Sequence, residues 1–239
     1  MKSREYYRRN LPHYQPDGYA FFISFRLYGT LPVEVVYEFK MIKNRKLALI
    51  SGYNNLKVRK EKYEEFKDEY FKSFDNYLDK CLTGNQWLRQ KEVAEIVKEA
   101  IHYRDGREYN LISYTIMPNH VHLVFIPIVE RDSSRFTGSV ERDLSRSPDN
   151  LSDMNIALQY PVTDILRKLK GSTSRACNLV LNRSGAFWQH ESYDHVVRDS
   201  DELKRIVNYV LNNPVKAGLA EYPEQWNYSY VNYDLIPVL

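Results

Sequence analysis

Two periodicities of apolar residues alternate along this chain. The run Tyr19-Ala20-Phe21-Phe22-Ile23-Ser24-Phe25-Arg26-Leu27-Tyr28 is aromatic and β-branched and is closed by Gly29. It predicts a central strand buried on both faces. Leu31-Pro32 opens a helix over about 33–49, with Pro near the first turn and apolar residues at Val36, Phe39, Ile42 and Leu47. Residues 52–82 are charge-rich but carry a stripe of Tyr63, Phe66, Tyr70, Phe71, Phe74 and Leu78. The stripe predicts one helix over about 55–81, an arm packed on the domain. Gly84-Asn85 breaks it, and Lys91 to Tyr103 is again an amphipathic helix with Val93, Ile96, Val97 and Ile101 inward.

The pattern then shortens to period two. Tyr109 to Thr115 is a strand, Met117-Pro118-Asn119 a turn, and His120-Val121-His122-Leu123-Val124-Phe125 the returning strand of a hairpin. Successive side chains of a strand point to opposite faces. His120 and His122 therefore share one face, and Val121 and Leu123 the other. Residues 130–160 are rich in Ser, Arg and Asp and read as a mobile insertion.

Thr163 to Asn182 is a helix or helix pair with a basic side, interrupted at Lys170-Gly171-Ser172-Thr173-Ser174. That interruption offers hydroxyls and backbone N–H groups to a phosphate, or else caps a helix. Tyr193 to Arg198 is a short strand. Asp199-Ser200-Asp201 caps a helix from Glu202 to about Asn212, which Asn213-Pro214 ends. The tail, 219–239, is an aromatic wrap containing Trp226, Tyr228, Tyr230 and Tyr233. The order of elements predicts an α+β fold, with helices on one face of an antiparallel sheet. We expect a single domain over 1–239, with insertions at about 52–82 and 130–160.

Composition narrows the partners only a little. A net charge of +3 announces no polybasic tail, although a local basic face is compatible with it. Arg4, Arg8 and Arg9 could touch a phosphate backbone; a solvated terminus is the alternative. Cys81 and Cys177 are distant in sequence and unpatterned, which argues for a reducing cytoplasm and against a cysteine-based zinc site. The charged N-terminus has no apolar segment behind it, so no signal peptide is expected. No stretch approaches the roughly 20 apolar residues of a membrane span.

The histidine pair is where chemistry begins. Two imidazoles on one strand can hold a divalent cation, but they need a third ligand from elsewhere. A cupin-type site would need further His and Glu ligands that the sequence does not supply. A histidine-triad hydrolase would need a third His at position 124, where Val stands. The remaining pattern is His, apolar residue, His with a Tyr on a separate helix. The last predicted helix places Tyr209 and Asn213 four residues apart and so on one face. Tyr209 can then sit beside a metal to which the Asn213 side-chain oxygen contributes. Two imidazoles and an amide oxygen suit Mg²⁺ or Mn²⁺ better than a structural zinc site.

Five motifs in order carry a resemblance: Met-Pro-Asn-His-Val-His-Leu-Val at 117–124, Lys-Gly-Ser-Thr-Ser-Arg at 170–175, Phe-Trp-Gln at 187–189, Tyr-Asp-His-Val-Val-Arg at 193–198 and Tyr-Val-Leu-Asn-Asn-Pro-Val-Lys-Ala-Gly at 209–218. Together they resemble the HUH single-tyrosine transposases of bacterial insertion sequences. The Asn-Pro-Val-Lys-Ala-Gly segment points to the REP-associated tyrosine transposase branch. The resemblance covers roughly 15–130 and 160–230 and leaves out the two insertions.

It implies a ferredoxin-like α+β fold and a metal-dependent single-stranded DNA endonuclease and strand transferase. The substrate it implies is hairpin or palindromic repeat DNA, cut through a 5′-phosphotyrosine. Tyr209 would be the nucleophile, and His120, His122 and Asn213 the metal ligands. Arg167, Lys168, Lys170 and Arg175 are the helix positions assigned to DNA phosphates. His195 and Arg198 are expected to support the site from behind. A monomer completing its site in cis is expected, with a dimer as the other arrangement. The alternative function is a non-catalytic, domesticated DNA-binding protein of the same fold.

Overall fold

The computed structural model describes residues 18–80, 84–128 and 161–236. Among them the chain forms β1 (Phe21–Leu27), α1 (Val33–Ser51), α2 (Leu56–Lys80), α3 (Lys91–Arg104), β2 (Tyr109–Ile116), β3 (His120–Pro127), α4 (Pro161–Val180), β4 (Trp188–Val196), α5 (Ser200–Lys216) and β5 (Ser229–Val231). The strands make one antiparallel sheet in the order β4-β1-β3-β2-β5. The first four strands follow a strand–helix–strand–strand–helix–strand path, and β5 is added at the β2 edge.

Every residue of β1 is buried, as its unbroken apolar run predicts for a central strand. The register pairs Ile23 with Leu123 and Phe25 with Val121 on one face. There they join Val93, Val97 and Ile101 of α3 and Ile165, Leu166 and Leu169 of α4 in the larger core cluster. The intervening pairs, Phe22 with Val124, Ser24 with His122 and Arg26 with His120, belong to the other face. Phe22 and Val124 pack there with Phe71 of α2 and Leu203, Val207 and Val210 of α5. The antiparallel α+β architecture is as expected. The helical layer foreseen on one face is α3 and α4; α2 and α5 add a second, thinner layer over the opposite face.

Three local expectations change. The Lys170–Ser174 segment does not interrupt its helix. Ser172 Oγ donates to the Lys168 carbonyl at 2.9 Å and Thr173 Oγ1 to that of Leu169 at 2.7 Å, so both hydroxyls turn back into α4. Trp188 Nε1 then donates to Thr173 Oγ1 at 2.8 Å. The segment is a mid-helix packing site and not a phosphate-binding turn.

Asn213-Pro214 does not end the last helix either. Pro lacks the N–H of one rung, yet α5 runs on to Lys216 and closes at Gly218, whose φ of 70° suits a helix terminus. The third change is in β4, which begins at Trp188, well before Tyr193, because Leu27 pairs with Trp188 beyond a register shift. The tail contributes β5, and Trp226 Nε1 donates to the Ile116 carbonyl at 3.0 Å. No helix among the described residues is long and apolar enough to cross a membrane. The N-terminal arm with Arg4, Arg8 and Arg9, Cys81 and the 130–160 insertion lie outside the described residues.

Candidate active site

His120 and His122 emerge side by side from β3 and are both 0% exposed, with their Nε2 atoms 3.1 Å apart. The turn before them sets the first ring. Asn119 Nδ2 donates to the Leu78 carbonyl at 3.0 Å, and Asn119 Oδ1 lies 2.6 Å from His120 Nδ1. A proton on Nδ1 satisfies that oxygen and leaves the Nε2 lone pair facing the site. Burial, reinforced by the neighbouring His122 and opposed by Asp75, pushes the His120 imidazole down to about 3, so it is neutral in ordinary solution.

The third group comes from the arm. Asp75 of α2 is fully buried, with Oδ1 3.4 Å from His122 Nε2 and 3.9 Å from His120 Nε2. Ligand atoms of Asp75, His120 and His122 all lie within 4.8 Å of one another. Burial alone would raise the Asp75 carboxyl; the two imidazoles and Lys216 outweigh it and hold the group below the usual carboxylate range.

α5 supplies the rest. Asn213 is 1% exposed, and its Nδ2 lies 3.3 Å from His122 Nε2 and 3.4 Å from Asp75 Oδ2. Its Oδ1 has no hydrogen-bond partner. A half-turn of the amide exchanges the two atoms, so the expected oxygen ligand is at the site but is not the atom that faces the ring. One turn earlier, the Tyr209 ring centroid lies 5.6 Å from that of His122, 6.2 Å from Phe22 and 6.3 Å from Phe71. The Tyr209 hydroxyl is buried and unpartnered, as is Asp75 Oδ1. A buried polar group without a partner costs about 1–3 kcal/mol. Two imidazole nitrogens and a carboxylate oxygen within 4.8 Å of one another fit a divalent cation.

The other expected residues fall elsewhere. α4 backs the opposite face of the sheet, with Arg167, Lys168 and Arg175 exposed on it. Arg167 Nε is 3.3 Å from Asp164, and Lys168 Nζ 3.4 Å from Glu108. Lys170 instead ties α4 to β4, donating to the Gln189 carbonyl at 3.0 Å and to Ser192 Oγ at 2.6 Å. His195 lies 3.0 Å from Glu202 Oε1 at the start of α5, and Arg198 3.0 Å from Glu64 of α2. Neither touches the histidine cluster; they anchor the two helices that bring Tyr209 and Asp75 to it.

Sequence reasoning missed Asp75 because the arm reads as an insertion. A signal was present: Asp75 interrupts the Phe71–Leu78 stripe at a position that helical spacing turns inward.

No protein-family model matches the chain. It is 26% identical over 128 residues to a Haemophilus influenzae protein named REP-associated tyrosine transposase, across 53% of this chain and 61% of that relative's length. A second, uncharacterized Haemophilus influenzae protein is 25% identical over 175 residues, 69% of this chain and 91% of that one. A solved structure of a REP-associated tyrosine transposase bound to a REP hairpin aligns with 95% of this chain and 82% of its own, at a TM-score of 0.46 and 16% identity. The motifs of the sequence and this similarity point the same way: the chain is similar to a protein named as a REP-associated tyrosine transposase, of whose length it spans less than two thirds.

Proposed function

We propose that the protein nicks and rejoins single-stranded, hairpin-forming repeat DNA through a covalent 5′-phosphotyrosine, with Mg²⁺ or Mn²⁺ at the histidine cluster. The observation that carries this reading is Tyr209, whose hydroxyl is buried and unpartnered, beside the site made by two buried imidazoles and a buried carboxylate. Tyr209 is the nucleophile. Its oxygen forms a bond to phosphorus as the bond to the 3′ oxygen breaks; the phenol loses its proton and the 3′ oxygen gains one. Phe22 and Phe71 hold the ring in place. His120, His122 and Asp75 are the cation ligands, with Asn213 joining them from α5. A divalent cation held there supplies Lewis-acid stabilisation of charge on a non-bridging phosphate oxygen.

The ester passes to tyrosine rather than to water, so its energy is retained and a second 3′-OH can reverse the step. That makes the site a recombination site and not a hydrolase. REP-associated DNA is the substrate class to which the name of that relative points. Tyr209 lies beside His122 of its own chain, which favours a monomer completing its site in cis. Arg167, Lys168 and Arg175 are assigned to DNA phosphates.

The test incubates the protein with a labelled palindromic oligonucleotide carrying a single-stranded flank, in Mn²⁺, and looks for a denaturation-resistant adduct. Wild type forms the adduct and Tyr209→Phe forms none while still binding the DNA. An undiminished adduct in Tyr209→Phe overturns the assignment. Hairpin binding by wild type with no adduct in any divalent cation marks a non-catalytic DNA-binding relative instead.

A further inference from the structure

Asp79 stands one turn beyond Asp75 on the same face of α2. Its side chain is 4% exposed, and Oδ1 lies 3.9 Å from His120 Nε2. Lys216 Nζ holds the other oxygen, Oδ2, at 3.0 Å and also reaches Asn76. That contact fixes the carboxylate so that Oδ1 is turned inward, and Oδ1 is buried with no hydrogen-bond partner.

Two carboxylates, Asp75 and Asp79, thus lie buried side by side against one ammonium. Burial of like charges is costly unless a counter-charge is present. Burial and the neighbouring Asp75 accordingly push the Asp79 carboxyl upward, against the pull of Lys216. A cavity of about 280 Å³ adjoins Asp79, lined by Asn76, Asp79, Lys80, Lys216 and Ala217.

We infer that Asp79 is a further ligand of the cation site, so that the chain offers two imidazoles and two carboxylates, with Lys216 orienting the second carboxylate. The inference rests on reading His120 and His122 as a cation site. Oxygen-rich donor sets favour hard cations such as Mg²⁺ and Mn²⁺ over softer metals. The arm carrying both acids is then a working part of the site.

Mn²⁺ binding to the full chain, followed by calorimetry and by the electron paramagnetic resonance signal of free Mn²⁺, tests this without DNA. Wild type binds, Asp75→Asn and Asp79→Asn each weaken binding at least about tenfold, the scale on which changes around metal ligands act, and Glu69→Gln, exposed on the same helix, leaves it unchanged. Asp79→Ser replaces Asp79→Asn if circular dichroism finds the latter unfolded. Asp79 variants that bind like wild type while Asp75→Asn does not would overturn the role of Asp79 and leave the histidine site standing. Absence of Mn²⁺ binding by wild type would overturn both.

Discussion

The two faces of the sheet are made by the same strands and have opposite chemistry. Toward α3 and α4, Ile23, Phe25, Val121 and Leu123 meet an apolar layer. Most polar groups drawn into that layer are paired, as where Tyr109 donates to the Ile101 carbonyl at 2.7 Å and Thr173 receives Trp188 Nε1; Thr163 Oγ1, Arg104 Nε and Glu108 Oε2 at its margin are exceptions. Toward α2 and α5, a shift of one residue along each strand exposes Ser24, His120 and His122 to two helices that bring carboxylates, an amide and a phenol. Asp75 Oδ1, Asp79 Oδ1, His122 Nδ1, Tyr209 Oη and Asn213 Oδ1 are all buried there without partners. One face spends its burial on stability, and the other holds unmet polar groups ready for a cation and a phosphate. The period of two along a strand lets both coexist in one small sheet.

The sharpest break of this comparison is a change that removes function and spares folding. Tyr209→Phe should eliminate the DNA adduct without lowering the melting temperature, because the hydroxyl has no hydrogen bond to lose. His122→Ala should likewise abolish cleavage and Mn²⁺ binding, and a chelator should reproduce the loss in wild type. Cleavage that survives chelation would end the metal reading.

The converse change is Leu169→Ala on the dry face. Leu169 is 0% exposed, and its truncation should cost about 2–5 kcal/mol in denaturant unfolding. Mn²⁺ affinity at a temperature where the variant is folded should stay near wild type. A loss of affinity as large as that of His122→Ala would mean that the faces are not independent.

A smaller effect tests whether DNA reaches the back of the sheet. Arg167→Ala with Arg175→Ala should weaken hairpin binding and flatten its salt dependence by roughly 0.7 in slope per lost single-strand phosphate contact. An unchanged slope would confine the DNA to the histidine face. Smallest of all is Arg198→Ala. Its pair with Glu64 is half-exposed, and such pairs contribute about 0–1 kcal/mol. A larger loss of stability would show that this tie between β4, α5 and α2 is needed to hold the arm.

How much could be read in advance followed the range of the interactions. Helix α2 was legible almost to the residue, since 3.6-residue periodicity is a local property. Helix α4 was not, because Gly171 and its hydroxyl neighbours look like a break. Only Trp188, arriving from β4, gives Thr173 a partner that suits mid-helix burial. Pro214 misled in the same way: the packing of Val207 and Val210 on the sheet outweighs one missing rung.

The sequence by itself determined that His120 and His122 share a face and that Tyr209 and Asn213 share another, because each pair is set by the geometry of a single element. Only the tertiary structure decided that these faces meet. It also brought Asp75, 138 positions from Asn213, between them. Which helix covers which side of a sheet depends on the summed burial of distant apolar surfaces, and no short stretch of residues contains that sum.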